Sequence, residues 1–331
     1  MTRSRIPEVS LKDWKRHLHG GKCRCPHSMA GTAFKGVSSG RVFSTRGANA
    51  QAQLHFTDLV DYERLAHLRP PLKWAGGKRW LVPYLERFWR PSKDVRLVEP
   101  FVGGLSVALG LRPKHALLND VNPHPVNLYR WIQKGLVIDQ PLLNSASAFE
   151  VNRRRFNSLV KTARGRNSKV AATLFYYLNR TCFNGLCRFN RAGEFNVPFG
   201  RYKTIEYRTD FREYGPIMRE WEFTVEDFEA LHLDPTDFVY ADPPYDSDNT
   251  QGGGFTSYSK TPFGWEEQVR LASWLARHHG PVVLSNHATG RILDLYREAG
   301  FKMTIINDAP RMISCNGDRT PAREVLATLN L

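Results

Sequence analysis

The sequence predicts an open, doubly wound α/β fold, in which a mostly parallel sheet carries helices on both faces. Four short apolar runs each carry Asp, Glu or Asn at the carboxyl end, namely 97–100, 116–120, 237–242 and 281–286. Helical periodicity lies between them, and the helix expected over 266–278 has one apolar side, formed by Val269, Leu271, Ala272 and Leu275. Folds of this class bind their ligand beyond the carboxyl ends of the strands.

Length and composition restrict the class of protein. The chain has 331 residues, of which 41% are hydrophobic, enough to bury a core in one large domain with an insertion or in two domains. A disordered tail, a fibrous repeat and a disulfide-stabilised miniprotein are excluded. No apolar run reaches the roughly 18 residues that a membrane-spanning helix needs, so we expect a soluble protein with no membrane partner. The cysteines favour a reducing compartment because they are few and odd in number; they are Cys23, Cys25, Cys182, Cys187 and Cys315.

The chain is strongly basic. It carries 47 Lys and Arg against 32 Asp and Glu, a formal net charge of +15. Residues 1–70 contribute twelve cations and five anions, so the rest of the chain is basic as well. Such a surface attracts a polyanion, either nucleic acid or an anionic membrane face, although a merely solvated surface gives the same count. Charge alone therefore favours nucleic acid only slightly.

Residues 1–69 are predicted to form a basic, flexible extension. Residues 1–55 are rich in Gly, Ser, Arg and Lys and show no sustained apolar periodicity. Two cysteines, Cys23 and Cys25, are flanked by three histidines, but a C-x-C pair without a second, well-spaced ligand pair is a weak zinc signal. No metal is predicted. The lack of an apolar core argues against a secretory or organellar signal.

More than a hundred residues separate the second predicted strand from the third. They include a basic run at 152–156 and a hairpin-like segment at 179–202. A parallel connection needs only a crossover helix, so the extra length predicts an insertion. We assign 122–208 to a separate subdomain, and 70–121 together with 209–331 to the domain that contains the sheet.

The strongest local signal is Asp242-Pro243-Pro244-Tyr245 at the end of a predicted strand. Two consecutive prolines neither continue a ladder nor enter a helix, so they hold the backbone rigid and leave the carboxylate and nearby carbonyls facing outward. Two acceptors beside an aromatic ring suit a planar exocyclic amine, such as that of a flipped base. A plain turn after a strand is the competing interpretation, because Asp-Pro is a common strand ending.

Three further segments together describe a nucleoside pocket. Residues 73–78 (KWAGGK) combine an aromatic ring, a glycine pair and two cations. Residues 99–104 (EPFVGG) follow a strand, and their small residues let a ligand approach the backbone. Asp120 ends the next strand, where a carboxylate can accept both hydroxyls of a ribose. Each signal is weak alone, since a glycine pair also forms turns and a strand-end Asp also caps helices.

In their order, these motifs resemble those of the Dam-type DNA adenine-N6 methyltransferases. The resemblance runs from about Pro71 to near the carboxyl terminus. Its most specific part is similar to the family's DNA-recognition hairpin, and covers 179–190 (NRTCFNGLCRFN) and 194–202 (EFNVPFGRY). Residues 284–287 and 313–317 match further motifs. The resemblance implies a Rossmann-like, doubly wound S-adenosylmethionine-dependent methyltransferase fold with an inserted, mainly helical DNA-recognition subdomain that carries a β-hairpin.

The resemblance also implies an activity. The methyl donor would be S-adenosylmethionine, the acceptor would be N6 of adenine in double-stranded DNA, and the base would be flipped before a direct transfer without a covalent enzyme intermediate. Neither a metal nor an obligatory protein partner is implied. The expected location is the bacterial cytoplasm or a phage-infected host cell, in association with DNA.

The family's functional residues are carried over by motif. The implied catalytic residues are Asp242, Pro243, Pro244 and Tyr245. The implied contacts to the methyl donor are Trp74, Lys78, Phe101, Gly103, Asp120 and Asp242. The implied positions that contact or flank DNA bases are Lys73, Asn184, Leu186, Arg188, Pro198 and Tyr202. These six match the residue types that accompany GATC, which is the expected site, although related enzymes with similar hairpins recognise longer sites containing GAT.

One departure and three other functions stay open at this stage. Leu105 stands where the family usually has a small residue, and its bulk either narrows the donor pocket or faces the following helix. The other functions are a nucleotide-dependent oxidoreductase, a catalytically idle DNA-binding relative, and a methyltransferase for RNA or for a protein side-chain amide. The oxidoreductase is disfavoured because 101–105 (FVGGL) lacks the complete G-x-G-x-x-G.

Overall fold

The computed structural model describes residues 6, 8–9, 68–246, 263–310 and 322–331. Nearly all of them belong to one compact unit, made of Met1–Leu11 and Arg69–Leu331. A second unit, Lys12–Leu68, lies outside the described residues except for Leu68. The cysteines and histidines of the weak metal motif, and the matched motif at 313–317, also lie outside them, so those expectations stay predictions.

One mixed sheet of eight strands forms the centre of the described structure. The strands are β1 (Glu8–Val9), β2 (Leu97–Glu99), β3 (Ala116–Asn119), β4 (Trp221–Thr224), β5 (Phe238–Ala241), β6 (Val282–His287), β7 (Lys302–Ala309) and β8 (Ala322–Leu329). Their order across the sheet is β1-β7-β8-β6-β5-β2-β3-β4. Only β8 is antiparallel to its neighbours, β6 and β7. The mostly parallel α/β sheet confirms the predicted fold class.

Four of these strands, β2, β3, β5 and β6, confirm the sequence predictions. Three of them are buried along their whole length and β6 is buried except at His287, which is why they are visible as continuous apolar runs. The other four were not predicted. In β4 buried and exposed residues alternate over only four positions, and in β7 the apolar run is broken by Lys302, Asn307 and Asp308.

Nine α-helices accompany the sheet in the described part of the chain. They are α1 (Val82–Trp89), α2 (Ser106–Leu111), α3 (Pro123–Gln133), α4 (Ala146–Leu159), α5 (Ala163–Arg166), α6 (Lys169–Thr181), α7 (Gly215–Met218), α8 (Trp265–Ala276) and α9 (Gly290–Glu298). The helix predicted over 266–278 is confirmed as α8. Within the described ranges, none of the helices combines the length and the apolar character needed to cross a bilayer.

Helices cover both faces of the sheet. Val239 of β5 packs in a core cluster with Leu275 of α8 and Ile292 of α9. Its neighbour Phe238 meets the ring of Trp89, at the end of α1, edge to face, with 5.3 Å between ring centroids. Successive residues of a strand point to opposite faces, so α1 lies on one side of β5 and α8 with α9 on the other.

The long connection from β3 to β4 contains five helices, α3 to α7, as a mainly helical insertion requires. The predicted hairpin at 179–202 differs in detail. Residues 179–181 complete α6, and the antiparallel pairing after them consists of two isolated bridges, Cys182 to Phe199 and Phe189 to Phe195. The antiparallel pairing begins later than predicted because Asn179 is buried in the last turns of α6 and belongs to that helix. The boundaries assigned to the subdomain stay a prediction.

Two residues of the predicted N-terminal extension belong to the sheet. Glu8 and Val9 form β1, which pairs parallel with β7 at the edge. Arg323 of β8 forms an ion pair with Glu8, with 2.6 Å between Nη2 and Oε1, and the Asn307 side chain donates to the same carboxylate over 3.2 Å. This short edge strand therefore departs from the description of the whole extension as a flexible arm.

Candidate active site

The carboxyl ends of four strands lie side by side, because β2 pairs with both β3 and β5, and β5 pairs with β6. Glu99 is the last residue of β2, while Asp120 and Asp242 directly follow β3 and β5. Ser285 lies near the end of β6. The polar residues that the sequence places at strand ends therefore share one edge of the sheet.

Asp242 is held through one of its carboxylate oxygens. The ammonium group of Lys78 lies 3.1 Å from Oδ1, and the hydroxyl of Ser285 donates a hydrogen bond to the same oxygen over 2.8 Å. Lys78 is only 3% exposed and also donates to the carbonyl of Gly76 over 2.8 Å. Both contacts of the carboxylate use Oδ1, so its orientation is fixed without engaging Oδ2.

Tyr245 is held at both ends of its side chain. Its hydroxyl donates to Oε2 of Glu324 over 2.8 Å, and its ring lies 5.2 Å from the ring of His287 and 4.5 Å from Nζ of Lys78. Burial, followed by the nearby charges of Asp242 and Glu324, raises the pKa of Tyr245 well above its usual value. The phenol therefore stays protonated, as its role as a donor to Glu324 requires.

The proline pair rests on a buried polar network. Pro243 is buried, and the carbonyl of Pro244 accepts a hydrogen bond from Nε2 of Gln268 over 2.8 Å. The side-chain amide of Asn286 then donates to Oε1 of Gln268 and to the hydroxyl of Tyr296, each over 2.9 Å. Side chains of α8, β6 and α9 thus hold the proline turn in position. Nothing in the sequence points to Gln268, because a single polar residue on a helix is ordinary.

Trp74 explains the glycine pair after β2. A Cβ atom on Gly103 would lie 2.7 Å from Nε1 of Trp74, and one on Gly104 would lie 2.7 Å from its Cβ. Gly103 also has a positive φ of 46°, which L side chains rarely adopt. The sequence predicts that small residues at this turn leave room for a ligand. In the structure they leave room for the indole of Trp74, and this contact packs the 73–78 segment against the edge of the sheet.

Asp120 organises the same turn. Its Oδ2 accepts the backbone N–H of Gly103 over 3.0 Å, and its Oδ1 accepts that of Asn122 over 2.9 Å. Burial raises the pKa of Asp120 to about 6, against the lowering effect of these two hydrogen bonds. The hydroxyl of Tyr129 donates to the carbonyl of Gly103 over 2.5 Å. The carboxylate predicted to hold a ribose therefore also fixes the glycine turn.

Glu99 begins the 99–104 segment of the predicted pocket, but no role of its own was predicted for it. It is buried, and its Oε1 has no hydrogen-bond partner among the described residues. Burial raises the pKa of Glu99 well above its usual value, the backbone of Ala108 acts against this, and the charge of Asp242 adds to it. Glu99 ends β2, which pairs with the strand that precedes Asp242, so this buried oxygen without a partner is a candidate contact for a ligand at the same edge of the sheet. Only the pairing of β2 with β5 reveals this neighbourhood.

The predicted donor contact Phe101 and the departure at Leu105 differ in character. Phe101 is partly buried and packs against Phe228 and Phe263, with ring centroids 5.7 and 5.4 Å away. Leu105 is fully buried and has a positive φ of 61° immediately before α2. A side chain that narrowed an open pocket would be in contact with solvent there, so the bulk of Leu105 faces the interior of the fold.

Lys73 is in direct contact with Tyr202, another of the predicted DNA-contacting residues. Its ammonium lies 3.8 Å from the centroid of the Tyr202 ring, and burial, then the charge of Arg180, lowers the pKa of Lys73. Asn184 has a positive φ of 53° in a turn that starts at Phe183, and Pro198 is exposed, with its carbonyl accepting the N–H of Phe183 over 2.8 Å.

Arg188 and Leu186 have contrasting environments. The Nε of Arg188 donates to the side chain of Asn196 over 2.9 Å, and its Nη2 donates to the Asn196 carbonyl over 3.0 Å. Leu186 is only 5% exposed, whereas Phe183 is 45% exposed. The structure thus buries a predicted DNA-flanking residue and exposes an aromatic residue that the prediction omitted. The described residues contain no group of three or more His, Cys, Asp and Glu arranged to hold a metal ion.

A parallel sheet with acids along its carboxyl edge and an Asp-Pro-Pro-Tyr turn places the protein in the class of Rossmann-like methyltransferases. Residues 74–309 match the family model of D12 class N6 adenine-specific DNA methyltransferases, and the chain belongs to this family. It is thus an enzyme of DNA adenine methylation, which decides against the oxidoreductase alternative.

Three relatives illustrate the range of this family. The chain is 37% identical over 275 residues to a DNA N-6-adenine-methyltransferase of Escherichia phage P1, a match that covers 79% of this chain and 35% of the phage protein. It therefore spans about a third of that relative's length. It is 34% identical over 270 residues to the DNA adenine methylase of Escherichia coli (strain K12), covering 77% of this chain and 93% of the relative. Identity to the type II methyltransferase M.CviBI of Paramecium bursaria Chlorella virus NC1A is 33%, covering 69% and 86%.

Proposed function

We propose that this protein transfers a methyl group from S-adenosylmethionine to N6 of the adenine in GATC, after flipping that adenine out of duplex DNA. The observation that carries the proposal is the fixed Asp242 carboxylate, held through Oδ1 by Lys78 and Ser285 beside the ring of Tyr245. The family supports the reaction, and the donor, the flipping and the site are the parts that experiment must test.

Asp242 and a backbone carbonyl of the proline pair would receive the two N–H groups of the target amine. The lone pair of adenine N6 is conjugated with the ring, so the nitrogen is a weak nucleophile. Two acceptors favour a more tetrahedral nitrogen and stabilise the positive charge that it gains as the new bond forms. In this transfer the N6 electron pair would form the new N–C bond as the C–S bond of the donor breaks with its electrons on sulfur, and the amine would lose one proton to solvent.

The donor would occupy the edge between β2, β3 and β5. S-adenosylmethionine supplies an electrophilic methyl group on a sulfonium, and the residues present fit it. Asp120 offers a carboxylate beside the glycine turn, Trp74 offers an indole on that turn, and Glu99 offers a buried oxygen without a partner. Holding the methyl group within about 3 to 3.5 Å of N6 accounts for much of the rate enhancement that such sites achieve.

Two aromatic side chains support base flipping, one to stack on the flipped adenine and one to fill the gap left in the duplex. Tyr245 provides a fixed ring for the flipped base, which offsets part of the unstacking cost. Phe183 is exposed in the turn next to Asn184, and apolar side chains inserted between base steps are a recurrent way of unstacking a duplex. We assign Phe183 to the gap that the adenine leaves.

Lys73 and Arg188 would bind the guanines at the two ends of GATC. Arg forms two hydrogen bonds to O6 and N7 of guanine, and Lys donates to the same acceptors. Arg188 already has its guanidinium held by Asn196. The cleft between α4 and the 190–196 turn is lined by Arg153, Arg154 and Lys161, which suit a DNA backbone.

The experiment exposes unmethylated plasmid DNA to the purified protein and S-adenosylmethionine, followed by digestion with nucleases that cut GATC only in its unmethylated or only in its methylated state. Acquired protection from the first and acquired sensitivity to the second are the expected results. Transfer to longer sites containing GAT, but not to isolated GATC, would favour the broader specificity of related enzymes. No transfer to any duplex would contradict the proposal.

A further inference from the structure

Asn179 joins two segments that lie far apart in the sequence. Its Oδ1 accepts the backbone N–H of Lys73 over 2.9 Å, and its Nδ2 donates to the backbone carbonyl of Lys73 over 2.8 Å. The same Nδ2 donates to the carbonyl of Gly185 over 3.0 Å. Asn179 is fully buried, so water does not compete for these bonds. The side-chain amide of Asn179 therefore bonds to both the N–H and the carbonyl of Lys73, as a neighbouring β-strand would. It also connects Lys73 to the turn at 183–185.

Lys73 begins a short stretch that reaches the catalytic motif, which we call the bridging segment (73–78). Its second residue, Trp74, packs on Gly103 and Gly104, at the proposed donor position. Its last residue, Lys78, forms the ion pair with Asp242. We call the turn at 183–185 the recognition turn. The bridging segment thus contacts the recognition turn at one end, the proposed donor position in the middle and the carboxylate of Asp242 at the other end.

Close packing reinforces the bonds of Asn179. A Cβ atom on Gly185 would lie 2.3 Å from Cβ of Lys73, so the recognition turn and the bridging segment are in direct contact. Gly185 has a positive φ of 65°, and the preceding Asn184 also has a positive φ. A displacement of this turn by DNA is therefore transmitted to the backbone of Lys73, and through one peptide group to Trp74.

We propose that Asn179 is a positioning residue that couples DNA recognition to methyl-donor binding. It fixes the backbone of Lys73 against the recognition turn, so that a bound cognate duplex holds Trp74 in the place that the donor requires. By reciprocity, a bound donor strengthens binding of the duplex by the same factor. This inference rests on the proposed function, because it takes Trp74 as a donor contact and the 183–185 turn as a DNA contact.

Two variants disturb the link from opposite sides. Asn179→Asp keeps the size of the side chain and the acceptor for the Lys73 N–H, but it loses the donor to both carbonyls. Gly185→Ala leaves Asn179 intact and forces Lys73 away from the turn. The second variant keeps the test valid if the buried carboxylate of the first prevents folding.

Matched controls carry the same chemical changes away from the link. Asn127 is also a buried amide, on α3, and it donates to the carbonyl of Ser168 over 3.1 Å, so Asn127→Asp is the control for Asn179→Asp. Gly135 has a positive φ of 76° in the turn after α3, and Gly135→Ala is the control for backbone strain at Gly185.

The measurement is the dissociation constant of S-adenosylhomocysteine, the demethylated donor, determined by calorimetry with and without the duplex that the wild type methylates. We expect that duplex to tighten binding by about 5- to 150-fold in the wild type and in both controls. In Asn179→Asp and Gly185→Ala we expect this factor to fall toward 1. Equal coupling in wild type and both link variants, or a factor of 1 in the wild type, overturns the inference.

The outcome is separable from that of the proposed function. A wild type that methylates a site other than GATC contradicts the proposed specificity, and the same binding cycle on that other duplex still decides the role of Asn179. A wild type that methylates GATC with no coupling contradicts the inference about Asn179 alone.

Discussion

Lys78 and Asp242 form an ion pair in which Nζ lies 3.1 Å from Oδ1, at the point where the bridging segment meets the end of β5. Lys78 is buried, so this contact places a cation and a carboxylate together at the edge of the core. Because Ser285 donates to the same oxygen, the carboxylate has one preferred orientation. Both contacts use Oδ1, so Oδ2 is the oxygen that would accept a hydrogen bond from the proposed target amine.

Replacing Asp242 should impair catalysis in a protein that still folds. Asp242→Ala removes the proposed acceptor for the target amine, and we expect methyl transfer to fall at least 100-fold, since a key polar contact of this kind typically contributes 10² to 10³. The thermal unfolding midpoint should fall as well, because the buried Lys78 loses its partner carboxylate, so the rates are compared at a temperature where circular dichroism shows both proteins folded. Ser285→Ala is the control: it removes the hydroxyl that bonds to Oδ1 and contacts the hydroxyl of Tyr240, but it keeps the carboxylate and the Lys78 ion pair, and we expect a smaller loss. Retention of a tenth of the wild-type rate by Asp242→Ala would exclude Asp242 from the chemistry.

Gly103 should be required for donor binding because of Trp74. In Gly103→Ala the new methyl group would lie 2.7 Å from the indole nitrogen, so Trp74 must move. We expect the dissociation constant of S-adenosylhomocysteine to rise by about tenfold or more, equivalent to ~1.4 kcal/mol. Gly300→Ala is matched for backbone strain, with a φ of 86° and no atom within 4 Å of the added Cβ, and should bind normally. Equal effects of the two substitutions would show that strain, not Trp74, is responsible.

Asp120 should give the protein a measurable pH dependence of stability. Its folded-state pKa of about 6 is above the ordinary value of 3.8, mainly because of burial, so the folded protein holds this proton more tightly than the unfolded chain. The stabilising contribution is complete below the ordinary value and is lost as pH rises through about 6. We therefore expect the free energy of unfolding of the wild type, relative to Asp120→Asn, to fall between pH 4 and pH 6. Urea unfolding across this range measures it, and a constant difference would contradict the shift.

Arg188 should determine one base pair of the recognised site. We expect Arg188→Ala to cost about 1 to 3 kcal/mol on the cognate duplex and to relax discrimination at the outer base pair. Arg154→Ala, in the basic cleft, should instead weaken binding to all duplexes by a similar factor and reduce the salt dependence. Methyl transfer to duplexes that differ only at that base pair provides the comparison. Unchanged base preference in the Arg188 variant would remove it from sequence recognition.

Local sequence patterns predict the central strands of the sheet. They do not predict the strands near its edges, which are less buried. The strands β2, β3, β5 and β6 are buried on both faces, and this makes them recognisable as apolar runs with polar ends. Strands at or near the sheet edges, such as β4 and β7, alternate or lose apolar residues, and their pairing depends on partners distant in sequence. The two residues of β1 carry no pattern of their own, because their place is decided by pairing with β7.

The sequence predicted which residues form the candidate site better than it predicted the contacts between them. Motif resemblance placed Asp242, Tyr245 and Lys78 together, and they lie together in the structure. The contact of Trp74 with Gly103 depends on two segments whose approach no periodicity encodes. The burial of Leu186 depends in the same way on the packing of its own turn.

The central claim is most directly tested by mapping N6-methyladenine, at single-base resolution, across unmethylated DNA of random sequence that the purified protein has modified with S-adenosylmethionine. We predict modification of the adenine on both strands of GATC, with little at sites that differ by one base, and none with Asp242→Ala. Methylation that is absent from GATC, or spread over sites without GAT, would contradict the account.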